Sequence, residues 1–140
     1  MNVEYKVNSP ILASQFIDLL EKSMLGKRRP VEDLTCIEGM VKNSNLMVSA
    51  WIDGKLVGIA RSMTDFHYAC YLSDLAVDKA YQNKGIGKML QVITQEQLEP
   101  KCKLILIASP KANSYYAKAG YENNLRCWVL ERSKHITTNT

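Results

Sequence analysis

The sequence predicts an α/β fold, a mixed central sheet flanked by helices, and three observations carry that expectation. Short β-branched and apolar runs (46–52, 69–77 and 103–108) alternate with segments whose apolar residues recur at helical spacing (11–20 and 89–98). An Asp53-Gly54 pair joins two strand-length runs, as a tight hairpin turn does. The run ending at Val77 feeds a turn with two glycines, Gly85 and Gly87, and that turn opens a helix. With 140 residues, the chain reads as a single domain over 1–140, long enough to bury a core.

The elements follow in order. Residues 3–7 alternate as a short first strand. Ser9 and Pro10 suit a cap and a first turn, and Ile11, Leu12, Phe16, Leu19 and Leu20 then form one helical stripe. Pro30 disfavours helix at Arg29 and breaks the pattern. A second helix over 31–41 carries Leu34, Ile37 and Val41 on its apolar face, and a turn at 43–45 ends it. The hairpin strands are 46–52 and 56–62, and residues 64–67 lead into the strand over 69–77. The helix after the glycine turn stops by Pro100. Residues 103–108 read as a buried strand parallel to 69–77. Ser109-Pro110 opens a short helix through Lys118, which Gly120 ends as a left-handed cap. Tyr121 and the run 127–130 are final strands, and the tail after Lys134 frays. The order is β-α-α-β-β-β-α-β-α-β.

Composition narrows the function. With 46% hydrophobic and 23% charged residues, the chain is an ordinary globular sequence. No apolar run approaches the ~20 residues of a membrane span, and the first residues lack the shape of a signal peptide, so the expected compartment is the cytoplasm. Four widely spaced cysteines with His67 and His135 do not make a metal site at ligand spacing, and reduced thiols fit that compartment. A net charge of +4 is concentrated in basic clusters near 27–29, 79–88 and 101–111, without interleaved aromatics. That favours a polyanionic cofactor over nucleic acid.

The glycine turn is the candidate site for such a cofactor. Unpaired backbone N–H groups and a positive helix end meet there, with Lys84 and Lys88 beside them. Gly85 and Gly87 permit close approach and positive φ. A Walker A loop is excluded, because Met89 stands where its Ser or Thr belongs. A dinucleotide fingerprint is excluded too, because Leu90 replaces its third glycine. The pattern that fits is Gln/Arg-x-x-Gly-x-Gly/Ala, met at Gln82, Gly85 and Gly87. It resembles the pyrophosphate loop of the GNAT superfamily of acyl-CoA-dependent N-acetyltransferases. Ala112, Tyr115-Tyr116, Lys118 and Gly120-Tyr121 match a second segment of that family. The order of elements matches as well, so the resemblance covers nearly the whole chain. Among members, the chain is most similar to small single-domain ones with an Arg-Arg-Pro segment in the acceptor-side loop.

That resemblance implies a set of roles. Leu75, Ala76 and Val77 would pair with the pantetheine arm as a sheet edge would, and the N–H near Leu75 or Ala76 would polarise the thioester carbonyl. Gln82, Asn83, Lys84, Gly85, Ile86, Gly87 and Lys88 would wrap the pyrophosphate. Tyr116 would protonate the leaving thiolate. Many members bond the pantetheine with an asparagine where Ser109 stands, a contact that Ser109 or Asn113 supplies here. No glutamate lies on the central strand, which leaves the base open between a side chain and a water chain; Asp74 is the nearest carboxylate in sequence, and it could equally cap a neighbouring loop. Arg28 and Arg29 are either a solvated turn or readers of an anionic acceptor, and Arg61, near the end of an otherwise apolar strand, is a third such candidate. Tyr115 is the better core candidate of the tyrosine pair, and His67 reads as a surface residue.

The implied function is acetyl transfer from acetyl-CoA to a primary amine of a small molecule or peptide, by direct attack and without a metal. The cysteines sit outside any nucleophile pattern, which disfavours an acetyl-cysteine route. The rival is a catalytically silent acyl-CoA sensor of the same fold. Trp128, Val129 and Leu130 offer apolar material for a homodimer.

Overall fold

A computed structural model of the chain describes residues 1–138. The chain forms two compact units, Met1–Ile107 and the segment from Ala108 onward. In the first unit a five-stranded sheet runs in the order β1-β2-β3-β4-β5. Its strands are β1 (Glu4–Val7), β2 (Leu46–Ile52), β3 (Lys55–Thr64), β4 (Ala69–Val77) and β5 (Lys103–Ile105). The first four pair antiparallel, and β5 joins β4 in parallel, which makes the sheet mixed.

Asp53 (φ 50°) and Gly54 (φ 77°) both adopt left-handed backbone between β2 and β3, the turn whose twist matches the flanking strands. The next turn is held by the Asp65 carboxylate, which accepts from the N–H groups of His67, Tyr68 and Ala69 at 2.8–3.1 Å. These three bonds favour the charged form and pull the Asp65 pKa down.

Two helices of this unit start later than the sequence suggests, each for a capping reason. Helix α1 spans Ala13–Lys22 rather than beginning at Ser9-Pro10. The Gln15 side chain reaches back to accept from Leu12 N–H at 2.9 Å, which fixes the first turn there. Helix α2 spans Leu34–Asn43, because the Asp33 carboxylate accepts from Cys36 N–H at 3.1 Å. Between them, Leu25–Arg28 form a 3-10 turn. Helix α3 spans Ile86–Glu96.

The helices cover both faces of the sheet. Phe16, Leu19, Leu20 and Ile37 of α1 and α2 bury against Met47, Trp51, Ile59 and Ala76. Ile86 and Leu90 of α3 bury against Val48, Ala50, Ala60 and Leu72. Helix α3 approaches β3 so closely that a Cβ on Gly58 would lie 3.1 Å from Leu90 Cδ1 and 3.2 Å from Ile86 Cγ2.

In the second unit, Pro110–Ala112 form a 3-10 turn and α4 spans Asn113–Lys118. Gly120 (φ 103°) ends it in the left-handed conformation expected of a cap. The expected strands at Tyr121 and 127–130 do not form, and β5 stops at Ile105 instead of reaching residue 108. A strand needs a partner ladder for its backbone groups, and none of the described residues supplies one here. Asn124 instead starts a turn, its side chain accepting from Arg126 N–H at 2.8 Å. Leu125, Trp128 and Val129 are left 89%, 87% and 65% exposed. Residues 139 and 140 of the tail lie outside the described residues.

Candidate active site

The site is built on an irregularity in β4. Arg61 of β3 pairs with Asp74, but the next residue, Ser62, pairs with Leu72, so Ser73 is an extra residue in β4. Such a bulge reverses the alternation of side chains and backbone groups beyond it. Leu72 packs toward α3, yet Ala76 packs toward α1 and α2, where regular alternation would have kept the two together. The backbone turns over in the same way. Lys103 N–H donates to Tyr68 O at 3.1 Å, so before the bulge the even-numbered residues face β5. Asp78 N–H donates to Val57 O at 2.9 Å, so after it the even-numbered residues face β3. Leu75 and Val77 therefore direct their N–H and C=O groups to the other edge. Strand β5 pairs with β4 only at Ala69, Cys70 and Tyr71, so it does not cover that edge.

The edge runs directly into the glycine turn. Asp78 is buried and its carboxylate accepts from Ala80 N–H at 2.9 Å, starting the 3-10 turn Lys79–Tyr81. The Gln82 side chain donates to Val77 O at 3.0 Å, so the motif glutamine ties the loop to the end of β4. Asn83 (φ 62°) and Gly85 (φ 82°) are left-handed, and Gly85 is the residue from which α3 starts. Gly87 departs from expectation: it lies inside the helix with ordinary φ, and a Cβ there would meet only Val77 Cγ2, at 3.6 Å. Positive φ is thus a property of Asn83 and Gly85. The first N–H groups of α3, from Ile86 to Lys88, have no carbonyl one turn earlier in the helix to bond. Lys84 and Lys88 are exposed beside them. The arrangement is a helix end of the kind that suits an anion, continuous with a stretch of strand edge that β5 does not pair.

The side chain expected to act as base is committed elsewhere. Asp74 is fully buried, and each carboxylate oxygen is ion-paired to a different guanidinium, Oδ1 to Arg29 Nε and Oδ2 to Arg61 Nε. Arg29 also donates to Ser73 O at 2.8 Å and to Arg28 O at 3.0 Å. Arg61 donates to Ser73 Oγ at 3.0 Å and to Ser44 Oγ at 2.8 Å. A carboxylate with both oxygens held by guanidinium groups and no exposure is not arranged to take a proton from a ligand. Arg61 is likewise no reader of an acceptor anion, since its side chain is 6% exposed and bonded along its length. Arg29 is more accessible, at 21%, but is bonded to the same carboxylate. Of the three arginines Arg28, Arg29 and Arg61, Arg28 alone is exposed. Removing a partner from a buried ion pair costs about 3–5 kcal/mol, because it strands the other charge.

In the second unit, Tyr116 is the centre of an aromatic cluster. Its ring meets Tyr115 edge-on at 5.1 Å and Tyr121 edge-on at 5.4 Å. Burial raises the Tyr116 pKa above the usual phenol value, with Tyr115 adding to the shift, so the phenol keeps its proton through the neutral range. The tyrosine expected in the core, Tyr115, is the more exposed of the pair. Ser109 caps the 3-10 turn from outside and is half-buried, while Asn113 is exposed at the start of α4. His67 is in the turn before β4. Among the described residues no group of three His, Cys, Asp or Glu side chains is placed to hold a metal, and no helix is long and apolar enough to cross a membrane.

Reasoning from sequence missed Ser73, Ser44 and Gly58. The bulge at Ser73 follows from a pairing register, and Ser44 meets Arg61 across 17 residues of chain. Neither leaves a local signal. Gly58 had a weak one, a glycine inside a strand pattern, which marks a close approach.

The model of an acetyltransferase (GNAT) domain matches residues 28–128. An uncharacterized N-acetyltransferase, ycf52-like, of Prochlorococcus marinus is 29% identical over 126 residues, covering 82% of this chain and 64% of its own. The chain spans half or less of the length of the algal ycf52 relatives that it also matches. A GNAT-family acetyltransferase of Streptococcus pneumoniae superposes with a TM-score of 0.74 at 18% identity, over 92% of this chain and 98% of that one. An aminoglycoside N-acetyltransferase solved in complex with CoA gives 0.71 at 16% identity, over 94% and 95%. At these identities the two structures bear on the fold.

Proposed function

The chain belongs to the GNAT acetyltransferase family, and on that premise we propose that it transfers an acetyl group from acetyl-CoA to a primary amine of a small molecule or peptide, by direct attack of the amine on the thioester. One observation carries the reading: the uncovered edge of β4 runs without interruption into the left-handed loop that opens α3. A ligand with a pyrophosphate at one end and amides along an extended arm matches that sequence of groups. The name shared by the curated relatives, N-acetyltransferase, supports the activity, and the CoA complex of the aminoglycoside enzyme supports the cofactor.

In this reading Gln82, Asn83, Lys84, Gly85, Ile86, Gly87 and Lys88 hold the pyrophosphate, and Leu75, Ala76 and Val77 lie along the pantetheine, with Ser109 and Asn113 as further contacts. When bound, acetyl-CoA would supply the activated thioester. Leu75 rather than Ala76 turns its N–H to the open edge, so Leu75 is the donor that stabilises charge developing on the thioester oxygen. Tyr116 donates its proton to the departing sulfur, and its raised pKa keeps that proton available. Asp74 takes no part in proton transfer. The acceptor ammonium loses its proton to water, and Arg28 meets any anionic group that the acceptor carries.

An assay of free-thiol release from acetyl-CoA tests the proposal, run against amines, polyamines, amino acids, aminoglycosides and peptides. At least one class is expected to give release that depends on acceptor and saturates. Tight CoA binding without release in any class would point to a sensor and contradict the proposal.

A further inference from the structure

We infer that Arg29, Asp74 and Arg61 form a positioning clamp that sets the Leu75 N–H and ties it to the acceptor-side segment. The inference rests on the reading of the β4 edge as the thioester site. The residue that makes the bulge, Ser73, is held at two points: its carbonyl by Arg29 and its hydroxyl by Arg61. The next residue, Asp74, has one carboxylate oxygen on each of the same guanidiniums. Leu75 follows immediately. A bulge leaves a residue outside the regular ladder, so its geometry is not fixed by strand pairing. Here the fixing is done by two planar forks, each bonding two groups at defined angles.

The two arginines come from different places. Arg61 is in β3 and is anchored in turn by Ser44 Oγ, just past the end of α2. Arg29 follows the Leu25–Arg28 turn, and its side chain is the link by which that segment reaches the sheet at this point. Movement of the segment on meeting an acceptor therefore passes through Arg29 to the bulge, and from the bulge to the Leu75 amide. The clamp residues touch neither thioester nor amine. They act on rate by aiming a donor.

The choice of two guanidiniums for one carboxylate fits this task. A single arginine would neutralise Asp74, and the second adds a formal positive charge to a mostly buried site. What the second arginine gains is a bond to the Ser73 carbonyl from the acceptor side. A lysine keeps the charge and loses the fork, so Arg29→Lys separates geometry from electrostatics.

The experiment uses the full chain, Arg29→Lys, and Asp74→Asn as a second variant. Three quantities are read: kcat by thiol release, acetyl-CoA affinity by calorimetry, and the Leu75 amide resonance with CoA and with acetyl-CoA. In the parent, acetyl-CoA is expected to shift the Leu75 amide further downfield than CoA does, since only the former brings a thioester carbonyl. Arg29→Lys is expected to lower kcat roughly 10- to 100-fold, the scale of a misaimed oxyanion donor, with acetyl-CoA affinity unchanged and the amide shift reduced. A merely structural role would lower melting temperature and leave that shift intact in the folded protein. An Arg29→Lys variant with parental kcat, or one with reduced kcat and a parental Leu75 shift, overturns the clamp. A parent that neither releases thiol nor shifts the Leu75 amide overturns the reading beneath it.

Discussion

The two units are held together by different means. In Met1–Ile107, side chains such as Phe16, Leu20, Ile37, Ile59 and Leu90 are fully buried on either side of the sheet, and even the charged Asp74 is enclosed. From Ala108 onward no described residue is fully buried, and the local contacts are those of α4, a glycine cap and three tyrosines that meet edge-on. The groups proposed to bind the cofactor and to aim the oxyanion donor belong to the first kind. The proposed proton donor, Tyr116, belongs to the second. Donors on a strand and a helix terminus are fixed by a cooperative core, whereas the phenol is fixed by neighbours within a few residues.

Substitutions in the two units should therefore separate rate from stability. The largest effect is expected from Tyr116→Phe, which keeps the ring and its edge-on contacts and removes the proton. General-acid assistance is typically worth about 10²–10⁴-fold, and kcat should fall on that scale with melting temperature and acetyl-CoA affinity unchanged. Tyr115→Phe is the control for register, and parental turnover in the Tyr116 variant would remove the phenol from the mechanism. The smaller effect is expected at Gly58 in the other unit, a residue paired with Val77 and packed under Ile86 and Leu90. Gly58→Val forces Leu90 and Ile86 outward, since a Cβ there would lie 3.1 Å from Leu90 Cδ1 and 3.2 Å from Ile86 Cγ2. Overpacking of this kind costs about 1–3 kcal/mol, read as a lower denaturation midpoint. Little change there would mean that α3 rides on β3 more loosely than the packing implies.

How much of this was legible in the sequence depends on how local its cause is. Strands 46–52 and 69–77, the Asp53-Gly54 turn and the Gly120 cap were readable because each rests on a few adjacent residues. So was the glycine turn, since Gln82, Gly85 and the strand before them are contiguous. The start of α2 was legible in principle, because Asp33 is a good cap, but Val31 extended the apolar pattern past it. The fate of Asp74 was not legible. Its partners lie 45 and 13 residues away, and the bulge that aims it depends on the register between β3 and β4. The run 127–130 shows the converse. Its composition suits a strand, and composition does not supply a partner.

In the proposed reaction acetyl passes from the thioester to an amine without resting on the protein. The most direct measurement follows isotopically labelled acetyl-CoA by mass spectrometry, with the acceptor found in the thiol-release assay. Label is expected on the acceptor nitrogen, formed at the rate of thiol release, with an unchanged protein mass at every time point. An acetylated protein that forms first and then loses its label to the acceptor, with Cys102 or another thiol carrying the group, would contradict that reaction.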